Sequence, residues 1–356
     1  MQIWTTDSAS PRGILRIAPR LEEAGWDGLL VVDSQNLSGD PYVSLAMAAT
    51  VTEKLGLGTG VSNSVTRVAA VTATSIESVN RVSKGRAVLG IGRGDSALAH
   101  LGRAPARVES FERYVAQVQA YLSGQEIAFE DIDIDEKIAP PMAELGFAGA
   151  PETSRIGWIK GDQKPPVEVA ASGPRVIAVG ARQADRVMFT LGADKDRLAW
   201  GIAHARAARE AAGLDPDGIS YGAFVNCAPH PDIDVARDLA RGGITTFARF
   251  SVMHGAAAAG PMSERDAGVM QDVRKAYDMR AHTYSDSQQA SALTPEFIDH
   301  FAIVGDPDHC VQRLQSLAAL GLDKVVIGGG RRGADQNDAA TAQTLLEREV
   351  LPNLVR

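Results

Sequence analysis

The sequence has few cysteines, no long apolar run and no excess of basic charge. Cys227 and Cys310 are the only cysteines in 356 residues, which disfavours a disulfide framework and predicts two reduced thiols that pack in the interior. No stretch approaches the ~18 consecutive apolar residues of a membrane helix, and residues 1–7 lack the features of a signal peptide. The net charge of −8 argues against a nucleic-acid surface. We therefore expect a cytoplasmic protein that binds neither nucleic acid nor a membrane.

Several catalytic motifs are also missing. The seven histidines lack the spacing of metal ligands, so no metal site is expected. The chain has no nucleophile elbow and no phosphate-binding Walker loop. Residues 90–95 are superficially similar to a dinucleotide-binding fingerprint, but Asp95 stands where the third glycine is needed and the motif lies deep in the chain.

Short β-branched runs alternate with longer amphipathic stretches, which is typical of repeated βα units. Eight strands are expected, at residues 3–5, 28–33, 55–60, 86–92, 167–171, 185–189, 220–227 and 324–327. This number predicts an α/β fold of the (β/α)8 TIM-barrel type, as a single domain over residues 1–356. The competing fold, an open doubly wound sheet, usually has fewer strands and needs a topological switch point that nothing here marks.

The βα repeat is interrupted twice, after the fourth strand and before the last βα unit. Residues 124–165 include an acidic alternating segment, 130–136, which we interpret as the solvated face of a strand in a hairpin. This segment lacks the glycine turn and layout of a calcium loop. Residues 255–301 are expected to be irregular. Both excursions are expected to shape a pocket without carrying recognisable chemistry.

Glycines followed by polar residues end the third and fourth predicted strands, and Asn63, Arg67, Arg93 and Asp95 come next. The carboxyl ends of barrel strands line the active-site mouth, and glycine there allows close approach of a flat ligand. This pattern predicts a planar cofactor across the mouth. Asp33 closes the second strand and is expected to orient a ligand, or else to cap the loop at 34–36.

Two further aspartates are candidates for exchanging a proton with a substrate. Asp95 follows the fourth strand, where it could alternatively cap the helical turn at 96–100. Asp7 lies just past the first strand, where it could alternatively cap the helix that begins near Pro11.

Residues 171–175 lie between the fifth strand and a helix start. Backbone N–H groups, the Ser172 hydroxyl and Arg175 form a potential anion site there, together with Ala171 and Gly173. Phosphate is the usual guest of a helix N-terminus. The alternative is an ordinary helix cap, with Ser172 before Pro174 in the first turn.

Taken together and in order, these motifs resemble the bacterial luciferase-like superfamily of flavin and deazaflavin oxidoreductases. The nearest branch is the one that contains methylenetetrahydromethanopterin reductase. The clearest matching segments are residues 28–42, 58–67, 90–102, 171–184 and 304–327. The resemblance implies a non-prolyl cis peptide against the cofactor ring, which we place between Gly60 and Val61. It also implies that Asp33 contacts the ring system and that residues 171–173 and Arg175 hold the tail phosphate.

The chain departs from its relatives at two positions. Deazaflavin-dependent sugar-phosphate dehydrogenases of the superfamily carry a histidine where this chain has Ser34. The pterin reductase has a glutamate at the end of strand one, where this chain offers Thr6 and Asp7. The resemblance therefore favours the deazaflavin without identifying a pterin substrate.

The resulting hypothesis is a hydride transfer between the deazaflavin coenzyme F420 and a C=C, C=N or C=O bond of a small molecule. Asp95 or Asp7 would manage the proton. An FMN-dependent monooxygenase, supplied with reduced flavin by a partner enzyme, is the alternative, and a non-catalytic flavin-binding barrel is a third. Arg67, Arg93 and Arg175 favour the deazaflavin because its polyglutamyl tail is anionic. A homo-oligomer is expected by family analogy alone.

Overall fold

The computed structural model describes residues 1–253, 259–328 and 331–354. The strands are β1 Gln2–Asp7, β2 Gly28–Val31, β3 Gly56–Thr59, β4 Ser62–Asn63, β5 Ala87–Gly92, β6 Val167–Ala171, β7 Arg186–Phe189, β8 Ser220–Val225, β9 Cys227–Pro229, β10 Ile303–Gly305 and β11 Lys324–Ile327. The helices are α1 Ile14–Glu23, α2 Pro41–Thr50, α3 Ala69–Val82, α4 Ser96–Ala99, α5 Val108–Leu122, α6 Pro174–Gln183, α7 Lys195–Ala211, α8 Ile233–Phe250, α9 Glu264–Lys275, α10 Gln288–Ser291, α11 Pro295–Phe301, α12 Pro307–Ala318 and α13 Gln336–Leu345. A short π-helix, Leu346–Val350, follows α13.

Eight of these strands form a closed parallel barrel. Their order is β1, β2, β3, β5, β6, β7, β8 and β11, and β11 pairs with β1. The short strand β4 continues beyond β3 and pairs with β5, Ser62 opposite Ile91. The predicted TIM-barrel fold is confirmed, and all eight predicted strands are present with small shifts at their ends. In the described residues no helix is both long and apolar enough to cross a membrane.

Local signals account for several helix boundaries. Asp40 caps α2 by accepting the N–H groups of Tyr42 and Val43, and Pro41 occupies the first helical position. The sequence predicts a helix over residues 233–241, whereas α8 continues to Phe250. A Cβ at Gly242 would lie 2.2 Å from the backbone oxygen of Thr283. The helix thus continues through a glycine because another segment packs directly against its backbone.

The two excursions differ from the predictions. The expected hairpin at residues 124–165 is wrong: an isolated antiparallel bridge joins Ile127 to Ser154, and residues 130–136 are largely exposed but form no strand. The second excursion is helical rather than irregular, since it contains α9, α10 and α11. Its residues 255–258 lie outside the described part of the chain.

A second apolar core explains why the later excursion is helical. Ile244 of α8, Met270 of α9 and Ile298 of α11 are fully buried together beside the barrel. Strand β9 follows β8 directly and pairs in parallel with β10, Cys227 opposite Ile303. The excursion is therefore a packed layer attached to the barrel. The two cysteines are buried and unbridged, as predicted.

Charged side chains fill the amino-terminal end of the barrel interior. The Lys324 ammonium donates to both oxygens of Glu168, at 3.1 and 2.9 Å, and Arg186 makes a close ion pair with the same carboxylate. Lys324 and Glu168 are 0% and 1% exposed. Each charge in this interior is therefore held by its partners, because isolated buried charges are costly.

Trp4 covers this charged group inside the barrel. The Lys324 ammonium lies 3.4 Å from the centroid of the indole ring, which is favourable for a cation over an aromatic face. Cβ atoms at Gly28 and Gly56 would lie 2.3 and 2.4 Å from the same ring. These two glycines therefore make room for Trp4, and a larger residue at either position would displace it.

We predict that Glu168→Gln lowers the free energy of unfolding by about 3–5 kcal/mol, because it leaves a buried ammonium without its counter-charge. The double variant Glu168→Leu, Lys324→Met should recover part of this loss, since the two fully buried charges are removed together while Arg186 still lacks its partner. Urea unfolding followed by circular dichroism measures both. A single variant as stable as the parent would show that the ion pair does not stabilise the barrel.

Candidate active site

A cavity of about 410 Å³ opens at the carboxyl ends of the barrel strands. This volume lies within the range of small-molecule and cofactor sites. The predicted site residues that line it are Asp7, Asp33, Gly60, Val61, Asn63, Arg93, Asp95 and Ser172. Four other predicted residues, Arg67, Ala171, Gly173 and Arg175, lie outside its lining. The barrel thus brings together residues from five different strand ends.

The peptide bond between Gly60 and Val61 is cis, at the predicted position between β3 and β4. Both residues line the cavity. The glycines around this bulge serve packing more than ligand approach: Cβ atoms at Gly60 and Gly90 would lie 2.6 Å from Leu30 Cβ and 2.2 Å from Thr59 O. The expectation that such glycines clear space for a flat ligand is corrected accordingly, since neighbouring strands occupy that space.

The Asp33 carboxylate is hydrogen-bonded to Ser62, the residue that follows the cis bulge. It is 4% exposed and accepts hydrogen bonds from the Ser62 hydroxyl at 2.7 Å and from Arg67 Nη1 at 2.5 Å. Arg67 also donates to Asp40 at 2.8 Å and lies over the Tyr42 ring, 5.0 Å from its centroid. Asp33 is therefore a buried anion tied to the strand that follows the cis peptide, and it does not cap the loop at 34–36.

We predict that Asp33→Asn destabilises the protein by about 3 kcal/mol, because Arg67 loses its buried counter-charge. The matched control is Asp40→Asn, which removes the more exposed ion pair while asparagine still caps α2, and it should cost less than about 1 kcal/mol. Urea unfolding of both variants gives the comparison. Equal losses would contradict a special role for the buried carboxylate.

Asn63 is almost completely buried and is committed to a turn. Its side-chain oxygen accepts the N–H groups of Val65 and Thr66, both at 3.0 Å, and its amide nitrogen donates to the Thr66 hydroxyl. Asn63 therefore shapes the cavity wall, and its side-chain oxygen and one amide N–H are already bonded to the protein.

Asp95 is paired with a distant arginine. Its carboxylate makes a close ion pair with Arg249 near the end of α8, and it forms no cap hydrogen bond to α4. The Arg249 guanidinium lies 4.3 Å from the centroid of the Tyr277 ring, and burial lowers the pKa of Arg249. Asp95 thus stands at the N-cap position of α4, but its side chain does not cap the helix. A guanidinium in contact favours the ionised carboxylate, which makes Asp95 a poor proton donor.

Asp7 has a different environment at the end of β1. Burial raises the pKa of this carboxyl, while the Ser8 N–H, 2.6 Å from Oδ1, opposes the rise. The N-cap of α1 is Gly13, so Asp7 is not a helix cap. A cavity carboxyl with a raised pKa is a suitable proton carrier.

Cationic charge gathers where α6 begins. Arg93 lines the cavity and donates from Nε to Ala106 O at 2.5 Å. Burial lowers the pKa of Arg93, and the nearby charge of Arg175 lowers it further. Arg175 itself is 76% exposed and lies 3.6 Å from Glu109. Two guanidinium groups close enough to affect each other make this region favourable for an anion.

No side chain caps the N-terminus of α6. The helix starts at Pro174 after Gly173, with no side-chain cap hydrogen bond. The Ser172 hydroxyl instead donates to the backbone oxygen of Phe250 at 3.3 Å. The alternative interpretation of Ser172 as an ordinary helix cap is therefore wrong, and the positive end of this helix dipole has no side-chain oxygen on it.

Sequence reasoning missed two parts of the site. Phe224, Phe247 and Phe250 supply an apolar wall, with ring centroids 6.3 Å apart at each step. His282, from the second excursion, also lines the cavity. A helical period in residues 242–250 could have extended α8 to include two of these rings. Nothing local marked His282, because its surroundings are assembled from other segments.

A parallel barrel with a ligand-sized cavity at the carboxyl ends of its strands is the architecture of a TIM-barrel enzyme. The family model described as "Luciferase-like monooxygenase" matches residues 2–324. The chain therefore belongs to the bacterial luciferase-like family, and the resemblance inferred from its motifs is confirmed.

Individual relatives are named as reductases and dehydrogenases. The chain is 29% identical over 347 residues to 5,10-methylenetetrahydromethanopterin reductase of Archaeoglobus fulgidus, covering 94% of this chain and 93% of the relative. The structure of coenzyme F420 dependent tetrahydromethanopterin reductase from Methanopyrus kandleri superposes with a TM-score of 0.73 at 18% identity, covering 99% of each chain. An F420-dependent secondary alcohol dehydrogenase in complex with an F420-acetone adduct gives 0.69 at 16% identity, covering 100% of this chain and 99% of the other. At these identities the two structural matches establish the fold alone.

Proposed function

We propose that this protein is an oxidoreductase that uses coenzyme F420 to transfer a hydride to or from a C=C, C=N or C=O bond of a small molecule. The observation that carries the proposal is the cofactor-sized cavity at the carboxyl ends of the barrel strands, with the cationic groups of Arg93 and Arg175 at one end. Family membership and the relatives named as reductases support it.

The residues present fit such a cofactor. Arg93, the charge of Arg175 and the N-terminus of α6 suit an anionic tail. The apolar rings of Phe224 and Phe247 suit a flat ring system. When bound, the reduced deazaflavin supplies the hydride, and the protein's task is to bind, orient and exclude water. We assign the tail to Arg93, Ser172 and the first turn of α6, with Ala171, Gly173 and Arg175 around it.

Asp7 is assigned as the proton carrier. Its raised pKa keeps more of the carboxyl protonated near neutral pH than an exposed aspartate. The Asp95 carboxylate is instead engaged in its ion pair with Arg249. The sequence put Asp95 first and Asp7 second as candidates, and their different surroundings support the reverse order.

The alternative is an FMN-dependent monooxygenase that receives reduced flavin from a partner enzyme. The description of the family supports it directly. An FMN phosphate would use the same cationic end of the cavity. The third candidate, a non-catalytic flavin-binding barrel, differs in one property, since it binds cofactor without turnover.

Separate titrations of the purified protein with oxidised F420 and with FMN, followed by fluorescence, test the proposal. We expect micromolar or tighter binding of F420 and weaker binding of FMN, because the polyglutamyl tail adds anionic contacts. Arg93→Ala should weaken F420 binding by on the order of tenfold or more, because one charged hydrogen-bonding group is lost. Arg175→Ala, which removes an exposed guanidinium, should have a smaller effect. Micromolar FMN binding with none of F420 would reverse the assignment.

We predict that Asp7→Asn lowers the turnover number on the order of 100-fold while F420 binding is retained, since general acid catalysis contributes at least this much. The rate of substrate reduction in the parent protein should fall as pH rises through the raised pKa of Asp7, because the protonated form is consumed. Steady-state rates across pH measure both. Asp95→Asn is the matched control, and a larger loss of turnover there would move the assignment to Asp95.

A further inference from the structure

Three polar side chains form a chain of hydrogen bonds at the cavity wall. The Tyr277 hydroxyl lies 2.6 Å from His282 Nδ1, and His282 Nε2 lies 3.1 Å from the Ser96 hydroxyl. Ser96 and His282 both line the cavity. This series of hydrogen bonds therefore ends at the Ser96 hydroxyl, at the wall of the cavity.

The surroundings of Tyr277 favour one direction for these hydrogen bonds. The Arg249 guanidinium lies over the Tyr277 ring, and the Thr246 hydroxyl lies 3.5 Å from the phenolic oxygen. A guanidinium can only donate, so positive charge beside the phenol favours a polarised O–H that donates to His282 Nδ1. The remaining ring proton then lies on Nε2 and is donated to Ser96. Burial and the charge of Arg249 lower the pKa of His282 to about 4, which keeps the ring neutral.

With Nε2–H as donor, Ser96 retains its own hydroxyl hydrogen. A serine hydroxyl has one hydrogen to donate and two lone pairs. Three other hydroxyls of the cavity lining donate within the protein: Ser62 to Asp33, Ser172 to Phe250 O and Ser38 to Ser34 O. Ser96 is thus a donor held ready for an acceptor atom of a ligand.

The loop that carries His282 is held in place on both sides. Thr283 has a φ of +69°, a left-handed conformation that is costly for a β-branched residue. Its backbone oxygen packs against Gly242, where no Cβ could fit. Gln289 is fully buried and donates to Ala281 O at 2.9 Å. Strained backbone of this kind persists where surrounding structure enforces it, and here the result is a fixed imidazole.

We propose that Ser96 donates a hydrogen bond to a carbonyl oxygen of the substrate, and that His282 and Tyr277 are the positioning residues that orient this hydroxyl. The substrate class assigned by this proposal is a ketone or aldehyde, whose oxygen accepts the hydrogen bond and takes up negative charge as the hydride adds. This inference rests on the proposed hydride transfer. The hydride would leave a C–H bond of the reduced coenzyme, which is thereby oxidised, and would form the new C–H bond at the carbonyl carbon, while the electron pair of the C=O π bond moves to oxygen. Ser96 stabilises that oxygen, and Asp7 supplies the proton that completes the alcohol.

The direction of the hydrogen bonds can be measured without cofactor. Nitrogen-15 NMR of the full-length protein labelled in its histidine rings should show His282 as the Nε2–H tautomer. Tyr277→Phe should increase the Nδ1–H form, because the donor to Nδ1 is lost. A predominantly Nδ1–H ring in the parent protein would overturn the proposal.

The carbonyl assignment is tested with acetophenone, a ketone whose ring suits the phenylalanine wall. The infrared C=O stretch of carbon-13-labelled acetophenone, added with oxidised F420, should shift to lower frequency in the parent protein and return towards its value in water-free solvent in Ser96→Ala. Ser96→Thr should restore the shift, and Ser38→Ala should leave it unchanged. Failure to bind up to the solubility limit, or a stretch that does not respond to Ser96→Ala, would contradict the assignment.

Kinetics separate this inference from the proposed function. Ser96→Ala should lower the turnover number for ketone reduction on the order of 100-fold, as the loss of one donor to a developing oxyanion does. F420 binding should be retained. If F420 does not bind but the NMR and infrared results hold without it, the cofactor assignment falls and the Ser96 donor stands. If F420 binds and Ser96→Ala turns over ketones normally, only the Ser96 donor falls.

Discussion

The candidate site depends on one buried carboxylate. Asp33 joins the end of β2 to Ser62, just beyond the cis peptide, and to Arg67, which extends to Asp40 at the start of α2. These contacts hold the bulge against two neighbouring elements. A neutral residue at position 33 could accept a hydrogen bond but could not balance the guanidinium. The shape of the cavity floor therefore depends on the ion pair that Asp33, just beyond the end of β2, forms with Arg67.

The barrel alone would supply only the floor of the cavity. Its opposite wall comes from α8 and the helical excursion, which share a separate apolar core centred on Ile244 and Met270. That core lets Phe247 and His282 face the barrel mouth from a packed layer. Specificity in a barrel of this type resides in such additions, because the strand ends themselves are constrained by closure of the sheet.

Two aspartates at strand ends illustrate how environment assigns roles. Asp7 and Asp95 follow β1 and β5 and line the same cavity. Asp95 contacts a guanidinium, whereas burial dominates for Asp7 and raises its pKa. The same chemical group is thereby a counter-ion to Arg249 at one position, and at the other it has the raised pKa that supports its proposed role as a proton carrier.

The sequence by itself determined the eight barrel strands and the cap at Asp40, since backbone periodicity and capping are encoded over short spans. The position of the cis bond at Gly60 followed from the resemblance to the family. Only the tertiary structure decided that Asp95 pairs with Arg249, 154 residues away, and that Ser96 meets a histidine 186 residues away. Local sequence patterns do not indicate which distant side chain will contact a given residue in the folded protein. These pairs form because the second excursion and α8 pack over the barrel mouth, which brings Arg249 and His282 to their partners.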